Sequence, residues 1–180
     1  MIPRLVLLVC GLAAEPARGA DWELLSIGVR AQVWEQRVLG KDQPEAFNEY
    51  DLVATVRMPW AGRSWSSWEM SARLLASAGI IRGADDTAFV ASAIPALAFT
   101  HRKVPVSVDF GAGLALLSQH QFRDQDYGGP VQFALTFGIG GTVYRQVGIG
   151  YRFLHYSDAS MYGSHTIGAD FHMIELFYAF

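Results

Sequence analysis

Val147-Gly148-Ile149-Gly150-Tyr151-Arg152-Phe153-Leu154-His155-Tyr156-Ser157 alternates in character at every step. In an extended chain successive side chains point to opposite faces. Val147, Ile149, Tyr151 and Phe153 therefore share one face, and His155 and Ser157 continue it. The spacing predicts a β-strand with an apolar stripe that ends in two reactive side chains. Read as a stripe that faces lipid, it decides the fold class.

Composition extends this reading to the whole chain. The 180 residues are 51% hydrophobic and 17% charged. After the N-terminus no segment approaches the roughly 18–20 uninterrupted apolar residues that a transmembrane helix needs. Apolar content spread by alternation, with 18 glycines and 13% aromatics, fits a β-barrel in a membrane. A net charge of −3 does not suggest nucleic-acid binding.

Residues 1–20 read as a secretory signal. Arg4 gives the positive start, a short apolar core follows, and Ala17-Arg18-Gly19-Ala20 supplies the small residues of a cleavage region. Cys10, the only cysteine, lies inside it. Leu8-Val9-Cys10 fits a lipoprotein box poorly because Val9 is too large. The mature chain, 21–180, then has no disulfide and no thiolate nucleophile.

Period-2 alternation recurs about eight times. Val104, Val106, Val108, Phe110, Ala112, Leu114 and Leu116 face Ser107, Asp109, Gly111 and Gly113 in the cleanest example. Pro95 interrupts the fourth segment and would remove a ladder hydrogen bond. Polar and mostly long connectors at 40–48, 82–86, 119–129 and 158–166 alternate with shorter ones at 61–64, 101–103 and 142–146. The expected fold is all-β: an eight-stranded antiparallel transmembrane barrel, long loops outside and short turns in the periplasm. Arg57, Glu69, Arg73, Asp109, Arg152 and Glu175 are expected inside, and Trp60, Trp65 and Trp68 at one membrane interface. A soluble lipocalin-like barrel would place the apolar stripes inside instead.

His155-Tyr156-Ser157-Asp158-Ala159, then Gly168-Ala169-Asp170, and the closing Leu176-Phe177-Tyr178-Ala179-Phe180 resemble the lipid A 3-O-deacylase family of outer-membrane esterases. The resemblance is strong over about 148–180 and only architectural elsewhere. That family carries His-x-Ser-Asn and an acid at the start of the last strand. By position the resemblance implies Ser157 as nucleophile, His155 as general base and Asp170 as the orienting acid. Serine needs such a base, and the base needs a carboxylate to fix its tautomer. Asp170 shares parity with Ile174 and Tyr178, so it too is expected to point outward.

Asp158 stands where the family has an oxyanion-binding Asn. An ionised carboxylate cannot donate a hydrogen bond. Either Asp158 is protonated, or backbone N–H groups near Ala159 and Ser160 hold the oxyanion. The family's acid is Glu, and Asp170 has a shorter reach.

The resemblance implies an outer-membrane esterase acting on lipid A or lipopolysaccharide, with membrane lipid as its surroundings, no nucleic acid and no cofactor. The sequence leaves a homodimer open. The competing reading is a non-catalytic structural or binding barrel. A metal site from His155, His165 and His172 lacks fixed short spacing, and Asp124, Asp126 and Asp158 are a weak candidate for a divalent cation.

Overall fold

The computed structural model describes residues 21–34, 36–39, 46–60, 62–163 and 166–180. The expected export signal, with Cys10, lies outside the described residues, as does His165. Eleven strands run in chain order: β1 (Glu23–Trp34), β2 (Phe47–Arg57), β3 (Arg63–Trp65), β4 (Trp68–Gly83), β5 (Asp86–His101), β6 (Val106–Leu117), β7 (Gln121–Phe122), β8 (Gln125–Asp126), β9 (Val131–Tyr144), β10 (Val147–Ser157) and β11 (Ala169–Ala179). The eight long strands pair antiparallel in the order β2-β1-β11-β10-β9-β6-β5-β4, and a β2–β4 pairing closes the ring. Closure leaves none of the eight with an open edge, as a bilayer requires. Short β3 adds to β4, and β7 and β8 form a small separate hairpin.

Alternation sorts the side chains as the sequence predicts. Val29, Leu52, Phe110, Leu114, Leu135, Phe137, Ile149 and Leu176 are exposed on the outer wall. A continuous apolar girdle of this kind is at home in lipid, whereas in water it would aggregate. This disposes of the lipocalin-like alternative.

The lumen is filled in two layers. At the end of the 118–130 and 158–168 connections, Phe47, Ile81, Leu117, Phe122, Tyr127, Tyr156 and Phe171 form a buried apolar plug. Nearer the middle, the Arg152 guanidinium donates to Asp109 Oδ1 at 2.7 Å and to Glu175 Oε2 at 3.1 Å. Arg30 donates to Asp51 Oδ2 at 2.6 Å, and the Tyr156 hydroxyl donates to Glu49 at 2.8 Å. Buried charges are tolerated when paired in this way. A cavity of about 340 Å³, lined by Arg57, Glu69, Arg73 and Phe180 among others, opens the other end of the lumen. Among the described residues the plug closes one end of the lumen.

Several details differ from expectation. The 82–86 connector is a tight two-residue turn at Ala84 and Asp85, both with positive φ, the geometry that fits hairpin twist. Arg57 sits at the rim, paired with Glu23 at 3.3 Å, and both are exposed. The sequence reading left Arg30, Glu49 and Asp51 out of the lumen set. β2 begins at Phe47, so Phe47 and Asn48 belong to a strand and not to the preceding connector. Pro95 does interrupt the ladder: the β5–β6 register holds at Ala93↔Leu114 and Ala96↔Gly111 and lapses between them.

Candidate active site

β10 and β11 are adjacent and antiparallel, and their register pairs His155 directly with Asp170. Phe153, on the same face of β10 as His155, pairs with His172. The inward partners Leu154, Tyr156 and Phe171 are fully buried in the plug, which fixes the outward direction of their neighbours. Period 2 alone therefore delivers His155 and Asp170 to the outer wall side by side.

The pair is hydrogen-bonded. His155 Nδ1–H donates to Asp170 Oδ1 at 2.6 Å. That bond selects the tautomer and leaves Nε2 as an acceptor. Both groups are nearly inaccessible, at 7% and 3% exposure. The sequence reading expected them bare on a lipid face, and here the structure differs. A bulge between Gln32 and Trp34 turns the end of β1, and residues 36–39 lie across the outer face of β11. The Val38 and Leu39 N–H groups donate to Asp170 Oδ2 at 2.5 and 2.7 Å. His172 Nε2–H donates to the Gln36 carbonyl at 2.7 Å, while His172 Nδ1 accepts from the Tyr151 hydroxyl at 2.5 Å. Bulges that re-aim a chain beside a functional site are a recurrent device.

Ser157 ends β10 on the same face and is half-buried. Gly168 lies against it. A Cβ built at Gly168 would fall 3.1 Å from His155 Cε1 and 3.3 Å from Ser157 Cβ. The imidazole and the serine therefore border one small space that a side chain at 168 would fill. Among the described residues, no hydrogen bond takes up Ser157 Oγ.

Asp158, Ala159 and Ser160 form the turn that follows. Ala159 and Ser160 have φ of 50° and 65°, and the Met161 N–H returns to the Asp158 carbonyl at 3.0 Å. Two consecutive left-handed residues without glycine need support. Asp158 supplies it. Its carboxylate accepts from Ser160 N–H at 3.0 Å, Tyr162 N–H at 3.0 Å and the Thr166 hydroxyl at 2.8 Å. Burial pushes its pKa up, but the bonds from Tyr162, Thr166 and Ser160 outweigh that and hold it below the ordinary carboxylate value. An ionised, acceptor-only Asp158 has no proton for an oxyanion, and it occupies the Ser160 N–H as well. Of the expected donors, the Ala159 N–H alone has no hydrogen-bond partner among the described residues.

The sequence reading missed Gln125, which is fully buried. Its side-chain amide donates to the Ile167 carbonyl at 2.8 Å, and the Ile167 N–H donates to the Asp126 carbonyl at 2.9 Å. The β7–β8 hairpin thereby clamps the segment that leads into Gly168 and Asp170. Asp126 caps the Gly128 N–H at 2.7 Å, and no cluster of acidic or histidine side chains suited to a metal occurs among the described residues. The cation site considered for Asp124, Asp126 and Asp158 is not assembled.

Comparison with known proteins bears on this wall. A solved structure described as the outer membrane enzyme PagL shares the fold at a TM-score of 0.66 and 17% identity, covering 84% of this chain and 98% of that one. No curated protein sequence matches the chain. The family model for lipid A 3-O-deacylase (PagL) matches residues 48–179, which include the plug except Phe47, the lumen charges from Glu49 to Glu175 but not Arg30, and both strands of the candidate site. The chain belongs to the lipid A 3-O-deacylase (PagL) family.

Proposed function

We propose that this protein is an outer-membrane esterase that hydrolyses the 3-O-linked acyl chain of lipid A with Ser157, His155 and Asp170. The observation that carries the reading is the buried 2.6 Å bond from His155 Nδ1–H to Asp170, with Ser157 next along the same face. His155 Nε2 takes the proton of the Ser157 hydroxyl as Oγ attacks the ester carbonyl. Asp170 holds the ring and stabilises the imidazolium that forms. The Ala159 N–H is the donor assigned to the tetrahedral oxyanion. Collapse releases the sugar hydroxyl, which takes its proton from His155 and leaves an acyl-serine. Water, activated by the same histidine, then frees the fatty acid.

The test is mass spectrometry of lipid A incubated with the detergent-folded barrel. Wild type removes one hydroxy-acyl chain, and Ser157→Ala lowers the rate by roughly 10⁴-fold or more. Unchanged lipid A from well-folded wild-type protein would instead favour a non-catalytic barrel.

A further inference from the structure

Asp170 is held by more than His155. Its second oxygen, Oδ2, accepts the Val38 and Leu39 N–H groups, from a segment more than 130 residues away in sequence. The Val38 and Leu39 side chains turn outward and are 59% and 54% exposed, so the segment is placed by its backbone and not by apolar packing of those residues. Its anchor is His172, which donates to the Gln36 carbonyl and is itself fixed by the Tyr151 hydroxyl. Tyr151 and His172 both lie on the outer face, at a level where neighbouring wall positions such as Ile149 and Leu176 are exposed and apolar. A paired tyrosine and histidine directed at lipid have little use as wall packing.

We propose that residues 36–39 form a positioning strap for the acid, with His172 and Tyr151 as its peg. This rests on the catalytic reading of Ser157, His155 and Asp170. Two backbone donors fix the carboxylate so that Oδ1 meets His155 Nδ1–H in one orientation. They also stabilise the ionised acid on a wall where lipid would not. His172 touches neither His155 nor Asp170 in any described hydrogen bond. It acts through the strap and is a positioning residue.

Proline is the direct probe, because it removes the N–H donor at its own position. Val38→Pro and Leu39→Pro each delete one bond to Asp170, and His172→Phe removes the peg. Folding of every variant is checked by the heat-dependent gel mobility of the closed barrel. Two readouts are taken: the rate at which an alkyl fluorophosphonate labels Ser157, followed by intact mass, and kcat and KM on lipid A.

The strap predicts tenfold or slower labelling in all three variants, and a lower kcat at nearly constant KM. Val38→Ala keeps its N–H and restores labelling. His172→Gln keeps a donor for the Gln36 carbonyl and recovers part of the rate. Combining Val38→Pro with His172→Phe adds little, because both break one unit. Folded variants that label at the wild-type rate would overturn the strap while leaving the catalytic reading intact. Val38→Ala as damaging as Val38→Pro, or a raised KM at constant kcat, would reassign the segment to substrate contact and also overturn it. If wild type is not labelled at Ser157, the catalytic reading falls and the strap with it.

Discussion

A methyl group at Gly168 would meet the Tyr156 carbonyl oxygen at 2.7 Å as well as the edges of His155 and Ser157. The backbone oxygen yields little, so the chain at 168 must move, and it lies against the imidazole and the serine. Gly168→Ala is expected to fold yet lose activity by about 10²-fold, since an ångström of misplacement at a reacting centre has effects of that order. Single-turnover deacylation measures it. Asp170→Asn is expected to lose about 10³- to 10⁴-fold in kcat, because an amide does not enforce the His155 tautomer. Activity within tenfold of wild type would remove Asp170 from the orienting role. At this scale the sequence was informative about faces: parity placed His155, Ser157 and Asp170 on one wall, and antiparallel order put His155 beside Asp170. The donors from Val38 and Leu39 were not legible, because a backbone N–H has no identity in a sequence. Gln125 was hidden for a similar reason, since its partners are the carbonyls of residues 167 and 168.

Among the elements, the turn after β10 depends most on one side chain. Asp158 uses both carboxylate oxygens to hold Ser160, Tyr162 and Thr166. An amide offers one acceptor oxygen, so Asn at this position holds the turn differently, which is why Asp here points to loop architecture and not to oxyanion binding. Its depressed pKa sets the direction of a pH effect. The stabilisation is complete above the ordinary value of 3.8 and is lost as the pH falls through the lower folded value. Cleavage of the 158–168 segment by an acid-active protease should accelerate over that range in wild type. In Asp158→Asn it should already be faster at the upper end of that range and flat across it, each rate taken relative to an unstructured peptide cut by the same protease. A wild-type profile equally flat would show that the carboxylate does not hold the turn. Strand positions were legible from alternation, whereas this turn was not. Its two left-handed residues, Ala159 and Ser160, carry none of the glycine or asparagine that usually announces such geometry.

For the molecule as a whole, the lumen charges are the feature most exposed to a single change. Arg152 serves Asp109 and Glu175 at once, with all three side chains less than 10% exposed. Arg152→Met leaves two buried carboxylates facing each other and is expected to lower stability by about 3–5 kcal/mol. The urea midpoint of the folded barrel, read by gel mobility, reports it, and a midpoint unchanged from wild type would mean that water from the cavity already screens the pair. The eight barrel strands and the inside–outside order followed from period-2 alternation, which a barrel imposes on each of them equally, whereas short β3, β7 and β8 did not. The apolar plug was less evident, because Phe122 and Tyr127 reach it from a connector with no alternating pattern to mark them.

A site built on the outside of the wall also changes what concentration means for this protein. Ser157 ends β10 on the outward face, so on the proposed reading substrate arrives by lateral diffusion in two dimensions. The variable that governs turnover is then the mole fraction of lipid A among its neighbours, not the amount per volume of water. Adding inert phospholipid or detergent at fixed total lipid A should slow the reaction in proportion to the dilution of the surface.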